Sequence, residues 1–160
     1  MILVAESRLT DEFKKIEKEL PFFAPVSGNL RHYRGWVPGP PNSPYKDRFF
    51  QLDIILPPDY PFEPPIARFI TPVWHPNINS STGEICNDIL KISGESQYTW
   101  SPGSDIVSVI MNIIAMLGGV FNIQSPLNEL AAEDFLKSRN KFEKKAEEWA
   151  EEYGKVTPKI

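Results

Sequence analysis

The sequence predicts an α+β fold, because an N-terminal helical pattern is followed by a group of strand-like runs and then by further helical patterns. The strand-like runs lie close together and are joined by short proline-rich segments, which is typical of an antiparallel meander. The chain has 160 residues, of which 41% are hydrophobic and 24% are charged, and these values suit one globular domain. We therefore expect a single domain over residues 1–160.

The first predicted element is an amphipathic helix that extends from residue 4 to about residue 20. Its apolar residues recur at spacings of three and four positions, at Leu9, Phe13, Ile16 and Leu20. Pro21 follows directly, and a proline at this point ends a helical pattern.

Three strand-like runs follow the helix, with the sequences LRHYRGWV, RFFQLDIIL and IARFI. The turn-rich segments PGPPNSP and PPDYPFEPP separate them. Many of the sixteen prolines of the chain lie in these connections, where they fix the shape of the loops. Pattern alone therefore predicts three antiparallel strands between residues 30 and 70.

A long irregular segment occupies residues 71–104, and connections of this length in a compact domain usually have a function. Helical spacing resumes after Ser104, which is the expected N-cap of the next helix. Two more helices are expected over residues 128–136 and 138–153.

Composition excludes several classes of function. The net charge is −4 and no cluster of Lys and Arg alternates with aromatic residues, so no nucleic-acid partner is expected. No apolar run is long enough to span a bilayer and the N-terminus does not resemble a secretory signal, so we expect no membrane insertion and a cytoplasmic or nuclear location. Cys86 is the single cysteine, which excludes an internal disulfide and a thiolate zinc cluster; it is either a core residue or a reactive thiol.

Four short motifs are similar to the active-site signature of the ubiquitin-conjugating enzymes: His75-Pro76-Asn77-Ile78, Gly83-Glu84-Ile85-Cys86, Asp88-Ile89-Leu90 and Trp100-Ser101-Pro102. Further family-like motifs are GP at residues 39–40, YPFEPP at 60–65 and SPLN at 125–128, so that the resemblance covers about residues 8–153. The resemblance implies an N-terminal helix, a four-stranded antiparallel meander, an active-site loop and three further helices. The fourth strand is expected near residues 67–77, unless it is too short for its pattern to be detected.

The resemblance also implies an activity. A ubiquitin-conjugating enzyme receives ubiquitin or a ubiquitin-like modifier from an activating enzyme, holds it as a thioester on a cysteine, here Cys86, and transfers it to a substrate lysine with a ligase. A thiol suits this task because it is readily acylated and readily displaced, and no cofactor or metal is required. Two other classes remain open. One is a non-catalytic ubiquitin-binding variant of the same fold, which normally lacks the cysteine, and the other is a hydrolase, which would need His75 or His32 beside Cys86.

Three further residues match catalytic positions of the family. Asn77 is expected either to donate a hydrogen bond to the oxyanion or to hold the loop by bonds to backbone groups. Asp88 is expected to hold the incoming amine while it loses its proton. Ser125 lies at a gate position where many members have aspartate. Structural roles within the loop are expected for His75, Pro76 and Trp100.

The resemblance implies three binding surfaces. The ligase surface comprises Pro61, Phe62, Ser101 and Pro102, the activating-enzyme surface comprises Arg8, Lys14 and Lys15, and the donor contact comprises Met111 and Asn112. The two lysines also suit a purely solvated helix face.

The chain departs from the family pattern at several places, among them Asp11 and Glu63, which reverse the charge of positions that are commonly basic. Asn87 replaces the usual leucine after the cysteine. Asp47 and Arg48 replace two glycines, so we expect that turn to avoid positive φ. Residues 91–99 form an insertion, which we expect to be mobile and to influence which amines reach Cys86, with Glu95 attracting lysine.

Overall fold

The computed structural model describes residues 2–92 and 99–158, with side chains from residue 6 onward. The first half contains α1 (Ile2–Glu19), β1 (Phe23–Val26), β2 (Asn29–Pro38), β3 (Phe49–Ile55) and β4 (Ile66–Phe69). After a long loop come a 3-10 helix (Asp88–Leu90), α2 (Ile106–Leu117), α3 (Glu129–Lys137) and α4 (Arg139–Tyr153). This order confirms the predicted α+β fold with a four-stranded meander.

The sheet is antiparallel and its strands follow chain order, β1-β2-β3-β4. The strand that the pattern did not detect is β1, so its expected position near residues 67–77 was wrong, whereas the alternative that it is too short for its pattern to be detected is confirmed. β1 is FAPV, and four residues are too few for an alternating pattern to be recognised. Pro25 is tolerated there because β1 lies at the edge of the sheet, where an N–H donor can be absent.

The core lies between one face of the sheet and the helices α1 and α2. It includes the fully buried residues Tyr33, Phe50, Leu52, Ile54, Ile106, Ile110 and Ile113. The inward residues of β3 alternate along the strand, whereas those of α2 recur at helical spacing, which is why the sequence pattern identified both elements correctly. α2 also packs against β2 and against the 3-10 helix.

The start of α2 differs from the expectation. The N-cap is Asp105 and not Ser104, because the Asp105 carboxylate accepts a hydrogen bond from the Ser108 backbone N–H at 2.8 Å. Both residue types are good N-caps, so the sequence could not decide between neighbours. Although α2 is very apolar, no helix in residues 2–92 and 99–158 is both long and apolar enough to cross a membrane.

The two C-terminal helices agree with their predictions to within one residue at each end. Asn128 caps α3 by accepting a hydrogen bond from the Ala131 N–H. Trp149 of α4 packs on Trp74 of the long loop that follows β4, with ring centroids 5.1 Å apart. These helices therefore support the loop from behind.

The turn before β3 contradicts one expectation. Asp47 has a φ of 63°, so the turn uses the left-handed region that we expected it to avoid. Aspartate is among the few non-glycine residues that adopt this conformation at low cost. The turn can therefore form with aspartate in place of glycine.

Candidate active site

Cys86 follows a turn that closely approaches the end of β4. The Phe69 N–H donates to the Gly83 carbonyl at 2.9 Å, and Gly83 has a φ of 77°. A Cβ on Gly83 would lie 1.9 Å from the Phe69 carbonyl oxygen, so only glycine fits. Three residues later, the Cys86 N–H donates to the Asn77 carbonyl at 2.8 Å. The backbone of Cys86 is therefore anchored between the sheet and the preceding loop segment.

The thiol of Cys86 is partly exposed and lies in an open groove of about 610 Å³. The groove brings together five of the predicted residues: Asn77, Cys86, Asp88, Asn112 and Ser125. Met111, the other half of the donor contact, does not line the groove but is 54% exposed on α2 beside Asn112.

Asn77 is 2% exposed and is held by backbone contacts. Its Nδ2 donates to the Cys86 carbonyl at 3.2 Å and to the Asn122 carbonyl at 2.9 Å. Its Oδ1 is buried and has no hydrogen-bond partner among the described residues. The amide thus joins the two segments that form the walls of the groove, which is the geometry that the loop-holding role requires.

His75 is also buried, and both of its ring nitrogens are occupied. Nδ1 accepts from the Asn77 N–H at 2.9 Å, so Nε2 carries the proton and donates to the Met116 carbonyl at 3.0 Å. Burial lowers the pKa of His75 to about 4, and the ring is neutral at pH 7. His32 lies on β2 and contacts Asp53 at 2.7 Å. Neither histidine contacts Cys86, so the pairing that a hydrolase needs is not formed in the described part of the chain.

Lys91 is the main residue that sequence reasoning missed. Its Nζ lies 3.4 Å from the Cys86 Sγ and 3.9 Å from the Asp88 Oδ1. The 3-10 helix turns the chain back toward the thiol, and the Lys91 N–H donates to the Asp88 carbonyl at 3.0 Å. The departure at Asn87 contributes to this turn, because the Asn87 Oδ1 accepts from the Ile89 N–H at 3.1 Å. Asn87 was the available sequence signal for this turn, because an asparagine side chain often accepts a hydrogen bond from the backbone N–H two residues later.

The opposite wall of the groove follows α2, and of its residues only Ser125 was predicted. It includes Val120, Phe121 and Asn122, together with the exposed Ser125. The Pro76 carbonyl accepts hydrogen bonds from the N–H groups of residues 127 and 128, at 2.9 and 3.0 Å. The Pro76 carbonyl therefore anchors the end of this wall.

The four residues of the ligase surface lie on two connected loops. Phe62 is 65% exposed, and the preceding Pro61 carbonyl accepts from the Trp100 Nε1 at 2.8 Å. Trp100 itself is 4% exposed and is followed by the exposed Ser101 and Pro102. The Trp100 ring thus joins the Phe62 loop to the Pro102 loop.

The residues of the activating-enzyme surface differ in their contacts. Arg8 donates to the Pro102 carbonyl at 2.7 Å and pairs with Glu12 at 3.0 Å. Lys15 pairs with Asp105 at 2.6 Å, whereas Lys14 is exposed. A freely solvated helix face therefore describes Lys14 but not the other two residues.

Within residues 2–92 and 99–158, no three side chains of His, Cys, Asp or Glu are grouped so that they could hold a metal ion. Six residues of the insertion, including Glu95, lie outside the described residues. The expectations for mobility and amine selection fall on that segment and remain predictions.

The fold and the groove define an α+β protein in which one accessible thiol lies on a loop braced by the sheet and by the C-terminal helices. Residues 8–150 match the sequence profile of the family described as "Ubiquitin-conjugating enzyme". The chain belongs to the ubiquitin-conjugating enzyme family.

Individual relatives agree with this assignment. The chain is 40% identical over 134 residues to "Ubiquitin-conjugating enzyme E2 13" of Saccharomyces cerevisiae, covering 84% of this chain and 82% of that protein. It is 37% identical over 155 residues to "Ubiquitin-conjugating enzyme E2 27" of Arabidopsis thaliana, covering 90% and 77% of the two chains. The solved E2 domain of a Toxoplasma gondii ubiquitin conjugating enzyme superposes with a TM-score of 0.82 at 36% identity, covering 94% of this chain and 99% of that one.

Proposed function

We propose that the protein carries ubiquitin or a ubiquitin-like modifier as a thioester on Cys86 and transfers it to a lysine. The observation that carries the proposal is the partly exposed Cys86 thiol in a groove of about 610 Å³, in a chain of this family. A cysteine that served only to fill the core would not be exposed there.

The reaction is two successive acyl transfers. The Cys86 thiolate attacks the thioester carbonyl of the modifier on the activating enzyme, a new C–S bond forms, and the cysteine of the activating enzyme leaves as a thiolate. A substrate amine then attacks the new thioester, a C–N bond forms and Cys86 leaves. Because the modifier arrives already activated, neither step requires a cofactor.

Asn77, Asp88 and Ser125 are proposed to act in the second step. The Asn77 Nδ2 is 3.2 Å from the Cys86 carbonyl, and exchanging this bond for one to the oxyanion would stabilise the developing charge. The Asp88 carboxylate lines the same groove and would hold the incoming ammonium. Ser125 has no charge, so its contribution to attracting the amine is smaller than that of Asp88.

Partner binding is proposed on the three surfaces already defined. Phe62 offers an exposed aromatic anchor for a ligase, and such anchors dominate many interfaces. Arg8, Lys14 and Lys15 supply positive charge on one helix for the activating enzyme. The exposed Met111 and the groove-lining Asn112 would contact the donor modifier. A cytoplasmic or nuclear location remains the prediction from sequence.

A non-catalytic ubiquitin-binding variant is the alternative within the fold. One incubation with activating enzyme, ATP and ubiquitin separates the classes. A carrier forms an adduct that reducing agent removes, whereas a binding module forms no adduct and a hydrolase instead consumes preformed conjugates. The carrier function would be excluded if the wild-type protein formed no adduct with ubiquitin and none with any of a panel of ubiquitin-like modifiers, each supplied with its own activating enzyme.

A further inference from the structure

One side of the groove carries no charge. Residues 106–128, which run through α2 and the segment after it, contain no Asp, Glu, Lys or Arg. The members of this stretch that line the groove are Asn112, Val120, Phe121, Asn122 and Ser125. This side therefore offers no carboxylate to an acceptor that enters as an ammonium.

The other side of the groove holds one carboxylate, which already has a cation beside it. Among the groove-lining residues that the structure describes, Asp88 is the only acidic one and Lys91 the only basic one. The Lys91 Nζ lies 3.9 Å from the Asp88 Oδ1 and 3.4 Å from the Cys86 Sγ. A lysine ammonium that entered would compete with Lys91 for Asp88 and would be repelled by the Lys91 charge beside the reacting sulfur.

The backbone holds Lys91 at this position from both sides. Its N–H donates to the Asp88 carbonyl at 3.0 Å, and its carbonyl accepts from the Trp100 N–H at 2.8 Å. Trp100 is 4% exposed and is fixed in turn by its bond to Pro61. The point from which the Lys91 side chain extends is therefore fixed, which keeps its ammonium near the thiol.

We propose that the acceptor that this groove favours is an amine that arrives uncharged, the α-amino group at the N-terminus of a polypeptide. The inference rests on the proposed thioester function and names an acceptor class for the same site. An uncharged amine is not repelled by Lys91 and needs no carboxylate to hold it. The open groove of about 610 Å³ also admits the end of a chain.

Acid–base chemistry separates the two kinds of amine. An α-amino group has a pKa of about 7.7–8.0, whereas a lysine side chain has one of about 10.4. At pH 7 roughly 10% of α-amino groups are neutral, compared with roughly 0.04% of lysine side chains. A groove that neither holds the ammonium nor removes its proton preserves this difference, so transfer to the α-amine is faster.

A hydroxyl acceptor is also uncharged, but it must lose its proton to a base as it attacks. Neither histidine can serve, because His75 bonds to Asn77 and Met116 and His32 contacts Asp53. A neutral amine attacks without such a base, since it releases its proton after the new bond has formed. The groove therefore suits an α-amine better than a hydroxyl.

The transfer balances without a further reactant. The lone pair of the neutral α-amino nitrogen attacks the thioester carbonyl carbon, and a C–N bond forms. The C–S bond breaks and its electron pair leaves with Cys86 as a thiolate. The nitrogen loses one proton, which passes to that thiolate or to water. The product is a peptide bond between the C-terminus of the modifier and the N-terminus of the acceptor.

Two serine substitutions provide a matched pair of variants. Ser125→Asp introduces a carboxylate into the groove, where it would attract an incoming ammonium. Ser81→Asp introduces the same charge at an exposed position on the loop before Cys86 that does not line the groove. Only the first substitution should alter the choice of amine.

The test chases the preloaded thioester, without ligase, with two peptides that each carry a single amine. One peptide has a free N-terminus and arginine in place of lysine, and the other has an acetylated N-terminus and one lysine. The protein is loaded with ubiquitin, or with the ubiquitin-like modifier that forms an adduct in the incubation described above. A small-molecule thioester of the same modifier gives the selectivity that exists without the groove.

The measured quantity is the ratio of the α-amine rate to the lysine rate at pH 7. We expect the ratio for the wild-type protein to exceed that of the small-molecule thioester by about threefold or more, which is the size of one exposed charge interaction. Ser125→Asp should lower the ratio by about three- to fivefold, and Ser81→Asp should match the wild type.

The outcomes separate this inference from the proposed function. A thioester that forms normally but shows a ratio equal to or below that of the small-molecule thioester would overturn the α-amine preference and leave the carrier function intact. A ratio that Ser125→Asp does not change, or that both substitutions change equally, would also overturn it. Absence of any thioester would overturn both proposals.

Discussion

At the scale of single residues, Asn77 has both a structural role in the groove and a proposed catalytic role. Its amide spans the groove at rest, yet the same Nδ2 is the donor available to an oxyanion. We predict that Asn77→Ala loads Cys86 at nearly the wild-type rate but discharges to free lysine roughly 10²-fold more slowly. The two rates are measured separately, by loading from the activating enzyme and by chasing the preloaded thioester with lysine.

The melting temperature provides the control for this prediction. Loss of two backbone contacts alone would lower stability and would slow loading and discharge to the same extent. Equal slowing of both steps, together with a lowered melting temperature, would assign Asn77 to holding the loop and not to the oxyanion.

His75 predicts how stability depends on pH. Its pKa falls from an ordinary value of 6.5 to about 4 because the ring is buried. Between these values the unfolded chain binds the proton and the native protein does not, so the stabilisation is complete above pH 6.5 and is lost as the pH falls. We predict that the free energy of unfolding is about 2 kcal/mol lower at pH 5 than at pH 7, as measured by urea denaturation.

A direct titration keeps this prediction testable when other groups contribute. The ring signals of His75 in an NMR titration should remain those of the neutral form down to about pH 5. Protonation of His75 in the native protein near pH 6.5 would contradict the account.

Sequence reasoning located some site residues and not others for a physical reason. Cys86 and Asn77 lie within short contiguous motifs, so their place in one candidate site could be predicted from the sequence. The approach of Lys91 to the thiol depends on the path of the chain through the Asp88–Leu90 helix, which the motif does not encode. Likewise, the contact of Arg8 with Pro102 joins positions 94 residues apart, and no local pattern predicts it.

At the scale of elements, Glu12 links α1 to both loops of the ligase surface. Although Glu12 is 6% exposed, its carboxylate accepts hydrogen bonds from the Arg8 guanidinium, the Tyr60 hydroxyl and the Ile106 N–H. Tyr60 directly precedes Pro61, and Arg8 also holds the Pro102 carbonyl. The proposed ligase surface therefore lies on a preorganised support, which would reduce the entropy lost when a ligase binds.

Phe62 should be the anchor of this surface. We predict that Phe62→Ala weakens binding of a cognate ligase by about 1–3 kcal/mol and leaves discharge to free lysine unchanged, because Phe62 does not line the groove. Affinity is measured by calorimetry and discharge by the lysine chase.

Leu130 on α3 is a suitable control because it is as exposed as Phe62, at 65%. Leu130→Ala should bind the ligase like the wild type. A ligase affinity that is insensitive to Phe62→Ala, or equally sensitive to both substitutions, would show that the ligase uses another surface or responds only to general apolar area.

Elements with a clear periodicity were predicted well, whereas the short strand β1 and the exact start of α2 were not. The pattern identified β2, β3 and β4 because each of these strands contains both aromatic and β-branched residues. It missed β1, where pairing with β2 and not intrinsic preference forms the strand. The cap of α2 was placed one residue early because Ser104 and Asp105 are equally suitable.

At the scale of the whole molecule, the described fold brings the partly exposed Cys86 thiol, a buried amide, a carboxylate and the Lys91 amine to one groove. The sheet and α2 form the support of this groove, and α4 braces the loop that carries it through Trp149 and Trp74. The contiguous motifs predicted most of this arrangement. The second wall of the groove, at residues 120–122, was not predicted, because it meets the thiol only after the chain has passed through α2.

The central claim is that the modifier is carried on Cys86, and substitution by serine tests it most directly. An alkoxide is a poorer leaving group than a thiolate, so an ester on serine forms but discharges slowly. We predict that the wild-type adduct is removed by reducing agent, whereas the Cys86→Ser adduct resists reducing agent, is cleaved by hydroxide and is not transferred to lysine. Transfer by Cys86→Ser at the wild-type rate, or a wild-type adduct that resists reducing agent from its first appearance, would contradict the claim.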